Sequence, residues 1–276
     1  APRDAATPAA TPAVTPPTKA VKSAPAPVIP KAPVALPQVH STETDTRVPI
    51  IGLRRKIAEA MVNAKQTAPH FTYVEEFDAT RLVAVRSRLT ESAKARGIKL
   101  TYMSFLIKAC SVAFREFPNV NAVMDESKFE LIVRGEHNIG IACDTPQGLF
   151  VPVIKNVERK SILQIAAELA ELTARTREGK ATIDELTGST FTITGVGSIG
   201  GVLATPILNV PEVAILGFNA IRPRPVAIDD EVVIRQMSYL SPSFDHRVID
   251  GAVGARFTGH LKRLLENPES MLLELA

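Results

Sequence analysis

Residues 49–276 are predicted to form one domain of the α/β or α+β class. Apolar residues with helical spacing alternate along this part of the chain with short strand-like apolar runs. All 15 glycines, 11 phenylalanines and 3 tyrosines fall within it, which supplies the side chains of a core. Residues 1–48, in contrast, hold 10 of the 21 prolines and no aromatic residue.

Five helices are predicted from apolar spacing and from capping residues. Ser161 and Gln164 have the form of a capping box, Thr101 is a candidate N-cap, and Pro118 cannot continue a helix. Ile57, Ala58, Met61 and Val62 are expected to share one face of the first helix. The predicted helices are residues 53–66, a segment capped by Asp78 that carries Leu82, Val85 and Leu89, and residues 101–117, 161–177 and 252–266.

Strands are predicted where β-branched and aromatic residues alternate with polar ones, or form short apolar runs between turns. Residues 145–148 are the expected turn between two buried strands. The predicted strands are residues 70–77, 122–124, 129–133, 139–143, 149–154, 190–194, 213–217 and 232–240.

Residues 1–48 are predicted to be a disordered linker. The segment has 11 alanines, 10 prolines and no glycine, so it cannot bury enough apolar area to offset its ordering entropy. Pro-rich segments of this kind favour extended polyproline II and act as semi-rigid spacers. Because a spacer joins two domains, we interpret the chain as a fragment that lacks an upstream domain.

Composition and charge disfavour several classes of protein. The net charge is only +3, so nucleic acid is not an expected partner. Neither a membrane-spanning apolar run nor a secretory signal is found, so no membrane partner is expected. The two cysteines, Cys110 and Cys143, exclude a disulfide framework and a cysteine zinc site, and favour a reducing compartment. The other histidines show no ligand spacing with His246, so no metal site is expected.

A glycine-rich loop matches a nucleotide-binding pattern without its structural context. Residues 195–200 have the form G-x-G-x-x-G, but Pro206 leaves no room for the helix that would hold a pyrophosphate. Ser198 is a candidate hydrolase nucleophile, yet Val196 stands where a nucleophile elbow has glycine. We therefore interpret the segment as a tight, glycine-dependent loop.

Residues 243–251, with the sequence SFDHRVIDG, are a candidate catalytic segment. They place an imidazole, two carboxylates and a guanidinium within six residues at a predicted strand-to-helix junction. Such junctions often direct side chains into clefts. A lone histidine is usually structural, so the spacing of His246 leaves both interpretations open.

Thr194 is a second candidate. Thr190, Thr192 and Thr194 share one face of a predicted strand, where threonines mostly pack. Thr194 differs because it is the last residue before a glycine, so its hydroxyl could donate a hydrogen bond into a cleft.

These motifs resemble the dihydrolipoamide acyltransferases, the core subunits of 2-oxo acid dehydrogenase complexes, which are similar to chloramphenicol acetyltransferase. Residues 246–251 match the H-x-x-x-D-G signature of that family. The resemblance covers residues 49–276, and residues 1–48 resemble the Ala/Pro linkers of the same family. It implies a two-layer α+β sandwich, with a mixed sheet and packed helices, that serves catalysis and oligomerisation.

The resemblance implies reversible acyl transfer between coenzyme A and dihydrolipoamide, with the lipoyl group carried on an upstream domain. It assigns His246 as the general base, Thr194 as the hydroxyl that stabilises the oxyanion, and Asp250 as a carboxylate that holds the site together, by pairing with an arginine. Gly195 departs from the family, many of whose members have asparagine or serine there. No residue is assigned to coenzyme A.

The resemblance also implies a trimer, with His246 of one chain facing Thr194 of the next. Trimers of the family assemble into cages of 24 subunits, the expectation here, or of 60 subunits among pyruvate-type members. Decarboxylase and dihydrolipoamide dehydrogenase subunits are the expected partners, in bacterial cytoplasm or the mitochondrial matrix. Segments 71–76, 197–201 and 266–268 resemble branched-chain members most, with pyruvate-type members close behind. A free-standing acetyltransferase, an inactive structural core and a nicotinamide-binding module remain the alternatives.

Overall fold

The computed structural model of the chain describes residues 45–195 and 200–274. The predicted linker, apart from its last four residues, lies outside them, as does Ser198. The helices are α1 (Gly52–Thr67), α2 (Thr80–Lys94), α3 (Tyr102–Glu116), α4 (Ile162–Arg177) and α5 (Gly251–Glu266). The strands are β1 (His70–Thr72), β2 (Glu75–Asp78), β3 (Ala122–Asp125), β4 (Glu130–Val133), β5 (Ile139–Ile141), β6 (Cys143–Thr145), β7 (Gly148–Phe150), β8 (Val153–Ile154), β9 (Phe191–Gly195), β10 (Ala214–Phe218), β11 (Arg222–Ile228) and β12 (Glu231–Asp245).

A mixed sheet forms the centre of the domain, in the order β1-β12-β10-β9-β5-β8. Strand β9 is parallel to both β5 and β10, whereas β12 is antiparallel to all its neighbours. Strand β12 is 15 residues long and also pairs with β2 and β11. Strands β3 and β4 form one separate hairpin, and β6 and β7 form another. The observed fold confirms the predicted class.

The main core lies between the helices and one face of the sheet. Phe191 of β9 and Phe244 of β12 contact Phe257 of α5, with ring centroids 6.2 and 6.0 Å apart. Phe114 of α3 lies 5.1 Å from Phe191. All four rings are nearly inaccessible to solvent. Aromatic packing therefore fixes α3 and α5 against the middle of the sheet.

One expectation about the first part of the domain needs correction. The strand predicted at residues 70–77 is split into β1 and β2, although its register against β12 continues unchanged. The split lies opposite Pro242, which has no backbone N–H to donate to Tyr73. In α1, Ile57, Ala58 and Met61 of the shared face are half-buried and Val62 is 54% exposed, so the rest of the chain covers this face only in part.

The helix ends follow the sequence in part. Ser161 and Gln164 form the predicted capping box at the start of α4. Thr101 occupies the N-cap position of α3, but its hydroxyl makes no capping bond and is buried without a partner. Asp78 accepts a hydrogen bond from the Thr80 backbone N–H at 2.8 Å as α2 begins.

The opposite face of the sheet carries small polar side chains. Thr192 and Ser243 both pair with Ile215 and are almost fully buried. Beside them, just before β10, Glu212 is only 2% exposed. Its Oε1 accepts hydrogen bonds from the Ser189 hydroxyl and from Asn209 Nδ2, whereas its Oε2 finds no partner. Burial raises the pKa of Glu212 to about 7 despite these bonds.

This buried carboxyl makes stability depend on pH. The folded chain keeps the Glu212 proton up to pH of about 7, whereas the unfolded chain releases it near its ordinary pKa of 4.5. The folded state therefore binds more protons between these values, and stability falls as the pH rises through them. The neutral Glu212→Gln variant lacks this loss. Its free energy of unfolding should gain on the order of 1–2 kcal/mol over the original chain between pH 5.5 and 8.5, measured by urea titration. Parallel pH profiles would contradict the assignment.

Candidate active site

His246 is positioned by the end of strand β12. The His246 backbone N–H donates to the Pro69 carbonyl at 2.9 Å, which extends the pairing between β12 and the start of β1. The next residues turn back, because the N–H groups of Val248 and Ile249 both donate to the Asp245 carbonyl. The chain then enters α5. The predicted strand-to-helix junction is therefore present, and its backbone is fixed on both sides of His246.

The imidazole of His246 is exposed and has few contacts. Its ring lies 4.8 Å from the ring of Phe71, measured between centroids. Within residues 45–195 and 200–274 neither ring nitrogen has a hydrogen-bond partner. A neutral imidazole in this position has a free nitrogen lone pair that can accept a proton from a substrate group.

Arg247 joins the His246 turn to the β3–β4 hairpin. Its guanidinium binds both carboxylate oxygens of Asp245, with the closest contact at 2.7 Å, and both oxygens of Glu126 at 2.8 and 3.0 Å. These bonds, first those with Asp245 and then those with Glu126, raise the pKa of Arg247, so it stays charged. Because Asp245 is only 2% exposed, the arginine compensates a buried carboxylate directly beside His246.

Asp250 lies at the N-cap of α5. Its carboxylate accepts a hydrogen bond from the Val253 N–H at 2.8 Å and caps α5. In the described part of the chain no arginine pairs with it, so the expected arginine contact is not made within one chain. A capping carboxylate fixes the start of the helix that follows the His246 turn.

Thr194 lies near the end of β9, is half-buried, and pairs with Gly217. Two clefts open beside the next residue, Gly195. One, of about 540 Å³, is bordered by α4 and β6 and carries Lys99, Asp144 and Arg177 at its walls. The other, of about 370 Å³, is lined by residues 101–103 and 218–221. Gly195 lines both clefts, whereas Thr194 itself lines neither of them.

One chain does not bring Thr194 and His246 together. Thr194 pairs with Gly217, which pairs with Ser241, so Thr194 is level with a residue five positions before His246. It also lies two strands away from β12. With a rise of about 3.3 Å per residue and a strand spacing of about 4.8 Å, the two backbones are roughly 19 Å apart. That distance excludes a shared proton or substrate atom within one chain.

Sequence reasoning missed several polar groups. Glu212 is a buried acid, and Lys99 and Arg177 are two exposed cations on one cleft. Sequence gives no signal for either, because burial of an isolated Glu and convergence of distant cations both depend on long-range contacts. Arg247 was noted only as part of the His246 motif.

The sequence disfavours a nucleotide site, a membrane-spanning helix and a metal site. The structure describes only part of the residues that bear on these three predictions. Residues 200–209 form no helix after the glycine-rich segment, as expected from Pro206, while residues 196–199 lie outside the described chain. No helix in the described ranges is long and apolar enough to cross a membrane. The same ranges contain no group of three or more His, Cys, Asp or Glu residues placed to hold a metal ion.

Residues 42–273 match the family model of the 2-oxoacid dehydrogenases acyltransferase (catalytic domain). The chain therefore belongs to this family.

Curated relatives and solved structures agree with this family. The dihydrolipoyllysine-residue acetyltransferase component of the pyruvate dehydrogenase complex of Bacillus subtilis (strain 168) is 45% identical over 242 residues, which cover 88% of this chain and 55% of the relative. The chain thus spans about half the length of the curated relatives it matches.

Two solved structures are similar over most of the domain. The cubic core of the pyruvate dehydrogenase multienzyme complex has a TM-score of 0.80 and 41% identity, covering 87% of this chain and 99% of that one. The dihydrolipoamide acetyltransferase of Azotobacter vinelandii, studied for a serine, a histidine and an asparagine in its catalytic mechanism, has a TM-score of 0.80 and 40% identity with the same coverage.

The Arg247 contacts predict unequal roles for its two carboxylate partners. Arg247→Met leaves the buried Asp245 carboxylate without its counter-charge and should lower the free energy of unfolding by about 3 kcal/mol. Glu126→Gln removes a carboxylate that is 49% exposed and should cost less than about 1 kcal/mol. Denaturant unfolding of both variants checks this. Equal losses would contradict the role of Asp245 as the dependent partner.

Proposed function

We propose that the chain is the acyltransferase core of a pyruvate-type 2-oxo acid dehydrogenase complex. It transfers an acetyl group between dihydrolipoamide and coenzyme A. The observation that carries this proposal is a pair of sequence intervals. In the Azotobacter vinelandii enzyme the named serine precedes the named histidine by 52 positions, and the asparagine follows the histidine by 4. Thr194 and Asp250 stand at the same intervals from His246.

Those intervals support roles that suit the chemistry of each side chain. A thiol with a pKa near 8.5 is mostly protonated at neutral pH, so a base must remove its proton as it attacks a thioester. His246 offers an exposed imidazole for this step. The tetrahedral intermediate then carries an oxyanion, which the hydroxyl of Thr194 stabilises by donating a hydrogen bond. Asp250 fixes the turn beside His246 through its cap on α5.

The site is completed by a second chain. Because His246 and Thr194 are roughly 19 Å apart in one chain, the imidazole acts with the hydroxyl of a neighbouring copy. A trimer gives every chain one such neighbour on each side. The similarity to a cubic core supports assembly of trimers into a cage of 24 subunits.

The acyl group is acetyl. The branched-chain preference drawn from residues 71–76, 197–201 and 266–268 finds no support, since the curated relatives are named as components of pyruvate dehydrogenase complexes. Short segments are a weak guide here, because one methylene changes binding by only about 1–3 kcal/mol.

The decarboxylase and dihydrolipoamide dehydrogenase partners, the upstream lipoyl group and the bacterial cytoplasm stay predictions.

Coenzyme A fits the larger cleft beside Gly195. Its volume of about 540 Å³ is in the range of small-molecule sites, and it leads to the strand end that carries Thr194. Lys99 and Arg177 are exposed on its wall and attract phosphate groups. Met103, Ala170 and Ala174 line its apolar part, which suits an uncharged pantetheine arm.

An acyl-transfer assay tests the function directly. Free dihydrolipoamide and acetyl-, isobutyryl- or succinyl-coenzyme A are supplied to the assembled chain. The S-acyldihydrolipoamide and free coenzyme A that form in equal amounts are separated by chromatography and quantified, because one thiol is consumed for each thiol released. Acetyl transfer should be fastest. His246→Ala should reduce its turnover by roughly 10²–10⁴-fold, the contribution of a general base. Faster isobutyryl transfer would contradict the acetyl assignment, and unchanged turnover in His246→Ala would contradict the base.

Charge reversal tests the coenzyme A cleft. Lys99→Glu and Arg177→Glu should each raise KM for coenzyme A roughly five- to tenfold and leave kcat unchanged, because an exposed charge contact contributes about 1 kcal/mol. Lys180→Glu is the matched control, since Lys180 is exposed near the end of α4 and does not line the cleft. An equal rise in KM for the control would indicate a general charge effect and contradict the assignment.

A further inference from the structure

We propose that Glu212 is a positioning residue that acts through Asn209 and Thr192 to hold the loop following Thr194 against strand β9. The described part of this loop, residues 200–209, is called the connector below. The inference rests on the proposed function, because the group it positions is the hydroxyl of Thr194.

Glu212 is bound to Asn209 by both side chain and backbone. The Glu212 Oε1 accepts from Asn209 Nδ2 at 2.8 Å, and the Glu212 N–H donates to the Asn209 carbonyl at 3.1 Å. The same Oε1 accepts from the hydroxyl of Ser189, two residues before β9. One carboxylate oxygen therefore joins the end of the connector to the start of β9.

The backbone around Glu212 is itself fixed. The Pro211 carbonyl accepts from the Met124 N–H at 2.8 Å, and the Val213 N–H donates to the Ala122 carbonyl at 3.3 Å. Strand β3 thus holds the residues on both sides of Glu212. The carboxylate is presented from a rigid position, as a positioning group requires.

Asn209 carries this connection to the face of β9 that holds Thr194. Its Nδ2 also lies 3.3 Å from Thr192 Oγ1. Thr192 and Thr194 are two residues apart on one strand, so they share a face and lie roughly 7 Å apart. Leu208 packs beside them, fully buried with Ala68 and Ile215. The connector therefore returns over the same face from which the Thr194 hydroxyl projects.

Among the described residues, the bonds of Asn209 and the packing of Leu208 fix the far end of the connector. Residues 200–209 form no helix or strand. Gly200 and Gly201 have φ values of +134° and +89°, which let the chain bend back. If the Asn209 side chain is lost, the connector keeps its backbone bond to Glu212 and its apolar packing but loses the side-chain bonds to Glu212 and to Thr192. Thr194 then lies on a strand end whose adjoining loop can shift, and a displacement of about 1 Å can reduce turnover by roughly 100-fold.

Glutamine is a conservative replacement for Glu212, because the carboxyl group is largely uncharged. Burial raises the pKa of Glu212 to about 7, so much of it is neutral near neutral pH. A neutral acid and a glutamine both present one carbonyl oxygen as acceptor. Glu212→Gln therefore keeps the bonds from Ser189 and Asn209, whereas Asn209→Ala removes the bond from the Asn209 amide to the Thr192 hydroxyl.

A double-mutant cycle in the full assembled chain tests the inference, with kcat and KM measured for acetyl transfer to dihydrolipoamide. Asn209→Ala should lower kcat roughly 10- to 100-fold without changing KM. It should lower kcat no further in a Thr194→Ala background, because its effect passes through that hydroxyl. Thr192→Val, which removes the acceptor with little change in volume, should act in the same direction. Glu212→Gln should stay within about threefold of the original chain.

Ser111→Ala is the matched control. Ser111 is 2% exposed and bonds His137 Nδ1 at 2.8 Å, so its loss removes a buried hydroxyl that makes no hydrogen bond to β9 or to the connector. This variant should lose stability and keep kcat. Additive losses in Asn209→Ala/Thr194→Ala, or unchanged kcat in both Asn209→Ala and Thr192→Val, would overturn the positioning role while leaving the proposed function in place. Absence of acyl transfer in the original chain would overturn the proposed function and this inference with it.

Discussion

The backbone pairing of strand β12 is the constraint on which the rest of the structure depends. This strand is bonded to β1 and β2 along one edge and to β10 and β11 along the other. Its last residue, Asp245, anchors the following turn through its carbonyl and holds Arg247 through its carboxylate. The position of His246 therefore comes from the sheet, and the imidazole itself stays free of structural hydrogen bonds in the described chain. A base that must accept and return a proton benefits from this separation.

The same pairing separates His246 from Thr194. Parallel pairing of β9 with β10, and antiparallel pairing of β10 with β12, place the two groups at opposite ends of the sheet. A hydrogen-bonded sheet with a close-packed core cannot bend enough to join them. A neighbouring chain is then the remaining source of the second group, which is why catalysis and assembly are one property in our proposal. The partly exposed apolar face of α1 and the exposed Leu272 and Leu273 are consistent with contacts between copies.

The sequence predicts most elements because helical spacing and capping are local properties. It fails where a distant residue decides the outcome. The strand at residues 70–77 is split because Pro242, far along the chain, faces Tyr73. The spacing in α1 correctly shows which residues share a face, but spacing cannot show what covers that face. The roles of the candidate site residues were predicted mainly from resemblance to a family. The spacing around His246 alone does not distinguish a catalytic histidine from a structural one. Asp250 illustrates the limit, because the motif locates the carboxylate but its partner is the N–H of Val253.

The central claim is that the active site is shared between chains, and mixed assembly tests it most directly. His246→Ala and Thr194→Ala chains, each of low activity alone, are co-expressed in equal amounts so that they assemble together. If one chain supplies the imidazole and the next supplies the hydroxyl, about a quarter of the interfaces contain an intact pair, and the mixture should recover about a quarter of the original turnover. A mixed particle of full size that is no more active than the separate variants would contradict the claim.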